Sequence, residues 1–136
     1  MLSQNFTIVA AVGNLGADHP PQYPAAYDGV IGVTAVDFSG DIYEHANQGE
    51  SVDFAALGVD IAYSSDERGA SVSGTSYAAP VVSAYIASTL LLDDNIQSDT
   101  ALFAALVEEA IDLGPPGHDN VFGYGALRLP PVESKY

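Results

Sequence analysis

Two short apolar runs rich in β-branched residues stand near the start of the chain. Residues 7–13 (TIVAAVG) and 30–36 (VIGVTAV) carry no charge and no clear polar alternation. That is how strands buried on both faces of a parallel sheet read. Between them, residues 14–27 are broken by Gly16, Pro20, Pro21 and Pro24 and read as loop. Ser39-Gly40-Asp41 and Asn47-Gln48-Gly49-Glu50 supply turn chemistry. Residues 52–55 and 60–63 read as short strands on either side of Gly58. From about Thr75 to Leu92 the pattern changes to an Ala-rich helix, ended by Asp93-Asp94-Asn95. A second helix, capped by Ser98 or Asp99, is expected to run to about Leu113, with Leu102, Ala105, Leu106, Ala110 and Leu113 at helical spacing. Gly114-Pro115-Pro116-Gly117 stops it, residues 123–127 make a compact return, and a polar tail occupies 130–136. Buried strands followed by helices predict an α/β fold with three layers and a mostly parallel sheet.

Size and charge narrow the function. The 136 residues amount to one domain, large enough to bury about two-thirds of the unfolded surface. Three Lys+Arg against eighteen Asp+Glu give a net charge of −15. Such a balance repels phosphate backbones and anionic membranes, so neither nucleic acid nor a membrane is an expected partner. It suits a saline or extracytoplasmic setting. With no cysteine there is no disulfide, thiolate metal site or cysteine nucleophile. The first residues, Met1-Leu2-Ser3-Gln4-Asn5-Phe6, lack the basic and apolar regions of a signal peptide. The uncharged run 69–92 is long enough to raise the question of a membrane span, but its Gly, Pro and hydroxyl residues read as a strand end plus a buried helix.

The informative chemistry lies in Gly74-Thr75-Ser76-Tyr77-Ala78-Ala79-Pro80. Ser76 falls in the first turn of an apolar helix, directly after the strand-like residues 70–73 and a glycine. Free N–H groups and the positive end of the helix dipole favour a developing oxyanion there. Gly74 allows a substrate backbone to come close. Pro80, one turn into the helix, removes the N–H that would bond back toward Ser76. On this chemistry alone Ser76 is either a nucleophile or a helix cap. Asn14, after the first buried strand, is either a turn residue or a hydrogen-bond donor to an oxyanion.

The segment Gly74-Thr75-Ser76-x-Ala78-x-Pro80 resembles the nucleophile signature of the subtilisin-like serine proteases, the subtilases. Further segments resemble the family in its order: residues 9–14 (VAAVGN), ending in its oxyanion asparagine; Tyr23-Pro24-Ala25, whose Tyr-Pro peptide is typically cis there; residues 30–36; Gly58-Val59-Asp60-Ile61; and the closing Gly123-Tyr124-Gly125. The resemblance covers about residues 5–129. It implies a serine endopeptidase that forms an acyl-enzyme on Ser76, with the Asn14 amide and the Ser76 N–H as oxyanion donors. It further implies that Ala11, Val12 and Gly13 line one wall of the S1 pocket. Gln22 falls at the pocket floor, and Gly74 and Thr75 flank the serine on the substrate side. No cofactor is implied. Calcium is common in the family, and Asp37, Asp41 and nearby carbonyls offer oxygens, but the spacing assigns no metal site.

A nucleophilic serine needs a base and a carboxylate to orient it. The family's Asp-Ser/Thr-Gly and His-Gly-Thr motifs precede the asparagine strand, and neither occurs in this sequence. His19, His45 and His118 lie in loop-like stretches without metal-ligand spacing. Val81 stands where the family often has His, and Ala56-Leu57 where Ala-Pro usually precedes the Gly-Val segment. The expectation is therefore the C-terminal half of a subtilase catalytic domain (residues 1–129), secreted or extracytoplasmic by resemblance. Its substrate would be a peptide or protein, and alone it should be inactive. A cut before the asparagine strand exposes a sheet edge, so self-association is also expected. The rival reading is a non-catalytic α/β binding module built on a subtilase half-fold. An α/β-hydrolase is disfavoured, since Ala78 stands where the second Gly of a Gly-x-Ser-x-Gly elbow belongs.

Overall fold

A computed structural model describes residues 6–63 and 69–128. The polar tail at 130–136 and the start of the chain, residues 1–5, lie outside the described residues. A three-stranded parallel sheet in the order β1-β2-β3 forms the centre, from β1 (Ile8–Ala11), β2 (Val30–Val36) and β3 (Phe54–Leu57). Ile8 pairs with Val30 and Val33 with Phe54, so β1 and β2 start level and β3 starts three residues further along β2. Isolated bridges add Ala126 beside Ala55 and Ile111 beside Ala126. A two-stranded antiparallel ribbon, β4 (Ile61–Ala62) with β5 (Ser71–Val72), leads into α1 (Thr75–Leu92); α2 (Asp99–Glu109) follows.

The helices cover the face of the sheet that presents Ile31, Val33 and Ala35 of β2 and Phe54 and Ala56 of β3. Ala78, Val82 and Ile86 of α1 and Leu102 and Leu106 of α2 complete that core. The α1 stripe Ala78–Val82–Ile86 recurs every fourth residue, so one line of side chains meets all three strands. α1 has the length and apolarity of a membrane-crossing helix, although this stripe is spent on the sheet. Gly58 permits its close approach: a Cβ there would stand 2.8 Å from both the Ala35 Cβ and the Gly74 carbonyl oxygen. Ala10, Val12, Ala25 and Val52 make a second small core, and Val36, Ala55 and Ala126 a third.

α1 and β2 lie where the pattern predicts them, and the Ser98 side chain caps α2 by accepting from the Ala101 N–H (3.1 Å). Three elements differ. α2 ends at Glu109 and not near Leu113, because Ile111 exchanges two backbone hydrogen bonds with Ala126 and is drawn into extended pairing. The third strand begins at Phe54 and not at Val52, since the Val52 N–H closes a turn onto the Gly49 carbonyl. β1 is not buried on both faces: it pairs only with β2 among the described residues, and Ile8 is 41% exposed.

One buried hydroxyl lacks a partner among the described residues. Thr34, fully buried in β2, has no hydrogen bond on its Oγ1. Thr34→Val keeps the shape and removes the unpaired group, so it is expected to raise stability by about 1 kcal/mol. Chemical denaturation of the two proteins measures the difference; a loss of stability would show that the hydroxyl has a partner.

Candidate active site

The site forms beyond the carboxyl end of β1, the end at which open α/β sheets usually bind ligands. β1 delivers Ala11, Val12, Gly13 and Asn14 there in sequence. The Gly74 N–H, bonded to the Gly58 carbonyl (2.8 Å), pins the start of α1 against the end of β3. These two anchor points bring Asn14 and Thr75 together although they lie far apart in sequence.

Asn14 is held by its amide oxygen. Its Oδ1 accepts from the Thr75 N–H (2.9 Å) and from the Thr75 hydroxyl (2.9 Å). The Thr75 hydroxyl oxygen in turn accepts from the Gly13 N–H (3.3 Å). A backbone N–H can only donate, so the oxygen of the Asn14 amide must face Thr75. Its Nδ2 is then left to point elsewhere, and it lies 3.6 Å from where a Gly74 Cβ would be. The missing side chain of Gly74 is therefore the space in front of the amide donor.

The first turn of α1 supplies a second donor. The Thr75 N–H is taken by Asn14, and the Tyr77 N–H bonds to the Gly74 carbonyl (3.0 Å). The Ser76 N–H has no partner among the described residues. No acidic residue occupies this first turn, so the positive end of the helix is not neutralised there. The Ser76 side chain is exposed, and its hydroxyl makes no hydrogen bond among the described residues. Pro80 lies inside α1, as the sequence requires, and frees the Ser76 carbonyl from its helical partner.

The pocket candidates divide. Gln22 lies against Gly13, its Cγ 3.3 Å from where a Gly13 Cβ would be, and its N–H bonds to the Val12 carbonyl (2.9 Å). Ala11 and Gly13 are partly exposed. Val12 is fully buried with Ala10, Ala25 and Val52, so its side chain belongs to the core. Thr75 is fully buried too and meets Asn14 rather than open space. The Tyr23-Pro24 peptide is cis.

Among the described residues no hydrogen bond joins a histidine to Ser76. His45 Nε2 pairs with Glu44 (3.2 Å), and His118 Nε2 donates to the Val52 carbonyl (2.9 Å) with its ring against Tyr124. Asp37 spends Oδ1 on the Ser39 and Asp41 N–H groups, and among the described residues no group of three or more His, Asp or Glu could hold a metal ion.

Sequence reading missed Asn47, which it placed in a turn. Asn47 is fully buried and braces the loop that carries Asn14. The sole signal in the sequence was an amide residue two positions before Gly49.

At the opposite end of the sheet Asp53 accepts from the Gly32 N–H (2.7 Å) beside a cavity of about 490 Å³. Burial raises its pKa above the usual carboxylate value; the Gly32 bond and His118 pull it back in part. With a raised folded-state pKa, Asp53 binds its proton more tightly folded than unfolded. Its contribution to stability is greatest below the ordinary value of 3.8 and declines as pH rises through the folded-state pKa. Asp53→Asn keeps an acceptor for Gly32 and removes that decline. The variant should gain stability at pH 7 relative to pH 3, as thermal melts at the two values would register; an unchanged pH profile would mean that Asp53 is not desolvated.

Comparison with known proteins identifies the family. The subtilase family model, Peptidase S8, matches residues 1–125. The minor extracellular protease Epr of Bacillus subtilis is 34% identical over 126 residues, which is 92% of this chain and 19% of that protein. Halolysin of Haloferax mediterranei is 35% identical over 109 residues, 79% of this chain and 20% of that protein. This chain thus spans about a fifth of the length of these two curated relatives. Among solved structures, the prenylagaramide maturation protease PagA superposes with a TM-score of 0.69 at 27% identity, over 91% of this chain and 48% of that one. A lanthipeptide protease at 23% identity shares the fold, with a TM-score of 0.73 over 89% of this chain and 48% of that one. By the match of the family model over residues 1–125, the chain belongs to the subtilase family.

Proposed function

We propose that these residues are the serine-bearing part of a subtilisin-like endopeptidase that cleaves peptide bonds through an acyl-enzyme on Ser76. The observation that carries the reading is the Asn14–Thr75 anchor, which leaves the Asn14 amide N–H beside Gly74, two residues before the exposed Ser76. In this mechanism the Ser76 Oγ attacks the substrate carbonyl carbon and its proton passes to a base. The carbonyl oxygen, now negative, is held by the Asn14 amide and the Ser76 N–H. Collapse expels the amine, which takes the proton from that base, and water then releases the acid by the same route. Ala11, Gly13, Gly74 and the Val12 backbone would border the substrate, with Gln22 at the pocket floor. No cofactor is called for, and the names of Epr and of the Natrialba magadii relative favour an extracellular setting.

The base and its aspartate would come from outside these 136 residues. In support, the sequence lacks both family motifs and spans 48% of the two solved neighbours. The same idea accounts for unsheltered apolar surface: Leu91 and Leu92 at the end of α1 are 82% and 84% exposed, and the outer edge of β1 has no strand beside it among the described residues. The remaining part of the catalytic domain would cover these surfaces; without it, self-association through them is expected. The test is peptidase assay of purified residues 1–136 beside a longer protein that also supplies the Asp and His motifs. Turnover should require the longer protein and vanish with Ser76→Ala. Robust Ser76-dependent turnover by the short chain would contradict the divided site, and Ser76-independent turnover would contradict the nucleophile.

A further inference from the structure

We propose that Asn47 is a positioning residue for the oxyanion donor, fixing the loop that carries Asn14 and affecting the reaction only through it. The proposal rests on the subtilisin-like reading above. Asn47 is fully buried, and its backbone N–H and both ends of its side-chain amide bond to one loop. Its backbone N–H donates to the Gly13 carbonyl (3.0 Å), its Oδ1 accepts from the Leu15 N–H (2.7 Å), and its Nδ2 donates to the Pro20 carbonyl (2.9 Å). The residues immediately before and after Asn14 are therefore tied to the same residue. Packing is equally close: a Cβ on Gly13 would stand 2.6 Å from the Asn47 Nδ2. Two backbone bonds extend the seam, from the Gly16 N–H to the His45 carbonyl (2.8 Å) and from the Gln48 N–H to the His19 carbonyl (3.1 Å).

The chemistry of the partners specifies an amide. Leu15 presents a donor and Pro20 an acceptor, so the side chain must offer one acceptor and one donor in a fixed orientation. A carboxylate would set an oxygen against the Pro20 carbonyl, and an alkyl group would leave both backbone groups unpaired. Thr75 holds the tip of Asn14 from the helix side and Asn47 holds its backbone from the loop side. With the second clamp gone, the amide can still reach Thr75 while the backbone beneath it drifts. Displacement of a catalytic group by an ångström costs on the order of 100-fold in rate.

The test uses the complete, active protease carrying Asn47→Asp or Asn47→Ser, each alone and combined with Asn14→Ala, with kcat and KM measured on one peptide substrate. Asn47→Ser retains a hydroxyl that can accept or donate and serves if the aspartate variant does not fold. The expected result is a fall in kcat of about 10-fold or more with KM within about twofold, shrinking to less than about twofold when Asn14 is already alanine. An equal fall in both backgrounds, or an unchanged kcat, would overturn the proposal, because a merely structural residue gives one of those patterns. A parent protease without Ser76-dependent turnover would instead sink the protease reading itself, and this proposal with it.

Discussion

Asn14→Asp should abolish most turnover while leaving the fold as stable as before or more so. The aspartate keeps an oxygen where Asn14 Oδ1 accepts from the Thr75 N–H and hydroxyl. Its negative charge sits at the N-terminus of α1, where it is favoured. The other oxygen, however, replaces Nδ2 and meets the developing oxyanion with an acceptor instead of a donor. Loss of such a donor costs roughly 100- to 1,000-fold in kcat, a range itself measured on a subtilisin, and like-charge repulsion adds to it. KM should change little, because the missing interaction forms in the transition state. Asn14→Ala differs in kind: it releases Thr75 as well, so it should lower both kcat and the melting temperature. If Asn14→Asp retained kcat within about threefold of the parent, Asn14 would not be an oxyanion donor.

The second large effect is on stability. Gly13 has φ of +113°, in the region that disfavours any side chain, and its Cβ would fall 2.6 Å from the buried Asn47 amide. Asn47 cannot yield, since both ends of its side chain are hydrogen-bonded. Gly13→Ala should therefore cost about 2–5 kcal/mol, combining backbone strain with overpacking. Out of a total of about 5–15 kcal/mol for a domain, that is a large share. A melt would show a fall on the order of 10 °C. A fall of under about 2 °C would mean that the loop relaxes freely, and the positioning role of Asn47 would lose its footing too.

Much of this was legible along the chain because it is local. α1 announces itself as a long uncharged stretch bounded by Gly74 and Asp93, and Ser98 caps α2 through a bond three residues ahead. The place of Ser76 at a helix start and of Asn14 after a strand end was legible in the same way. What was not legible depends on partners distant in sequence. Ile111 continues a helical apolar pattern, yet pairing with Ala126 takes it out of α2. Val12 sits in a continuous apolar run, where no alternation reveals which side chains turn inward, and it turns fully into the core. Asn47 looks like any turn asparagine until the loop from Gly13 to Pro20 is folded around it.

The central claim is that Ser76 becomes a nucleophile only when a base from outside these residues joins the two oxyanion donors. Its most direct test is to label the native protein with a fluorophosphonate and determine both the mass of the labelled polypeptide and the modified residue. The account predicts label on Ser76, in a polypeptide or complex larger than 14.1 kDa, and none after Ser76→Ala. A native preparation that never takes label at Ser76, or a lone 14.1 kDa chain that takes it rapidly, would contradict it.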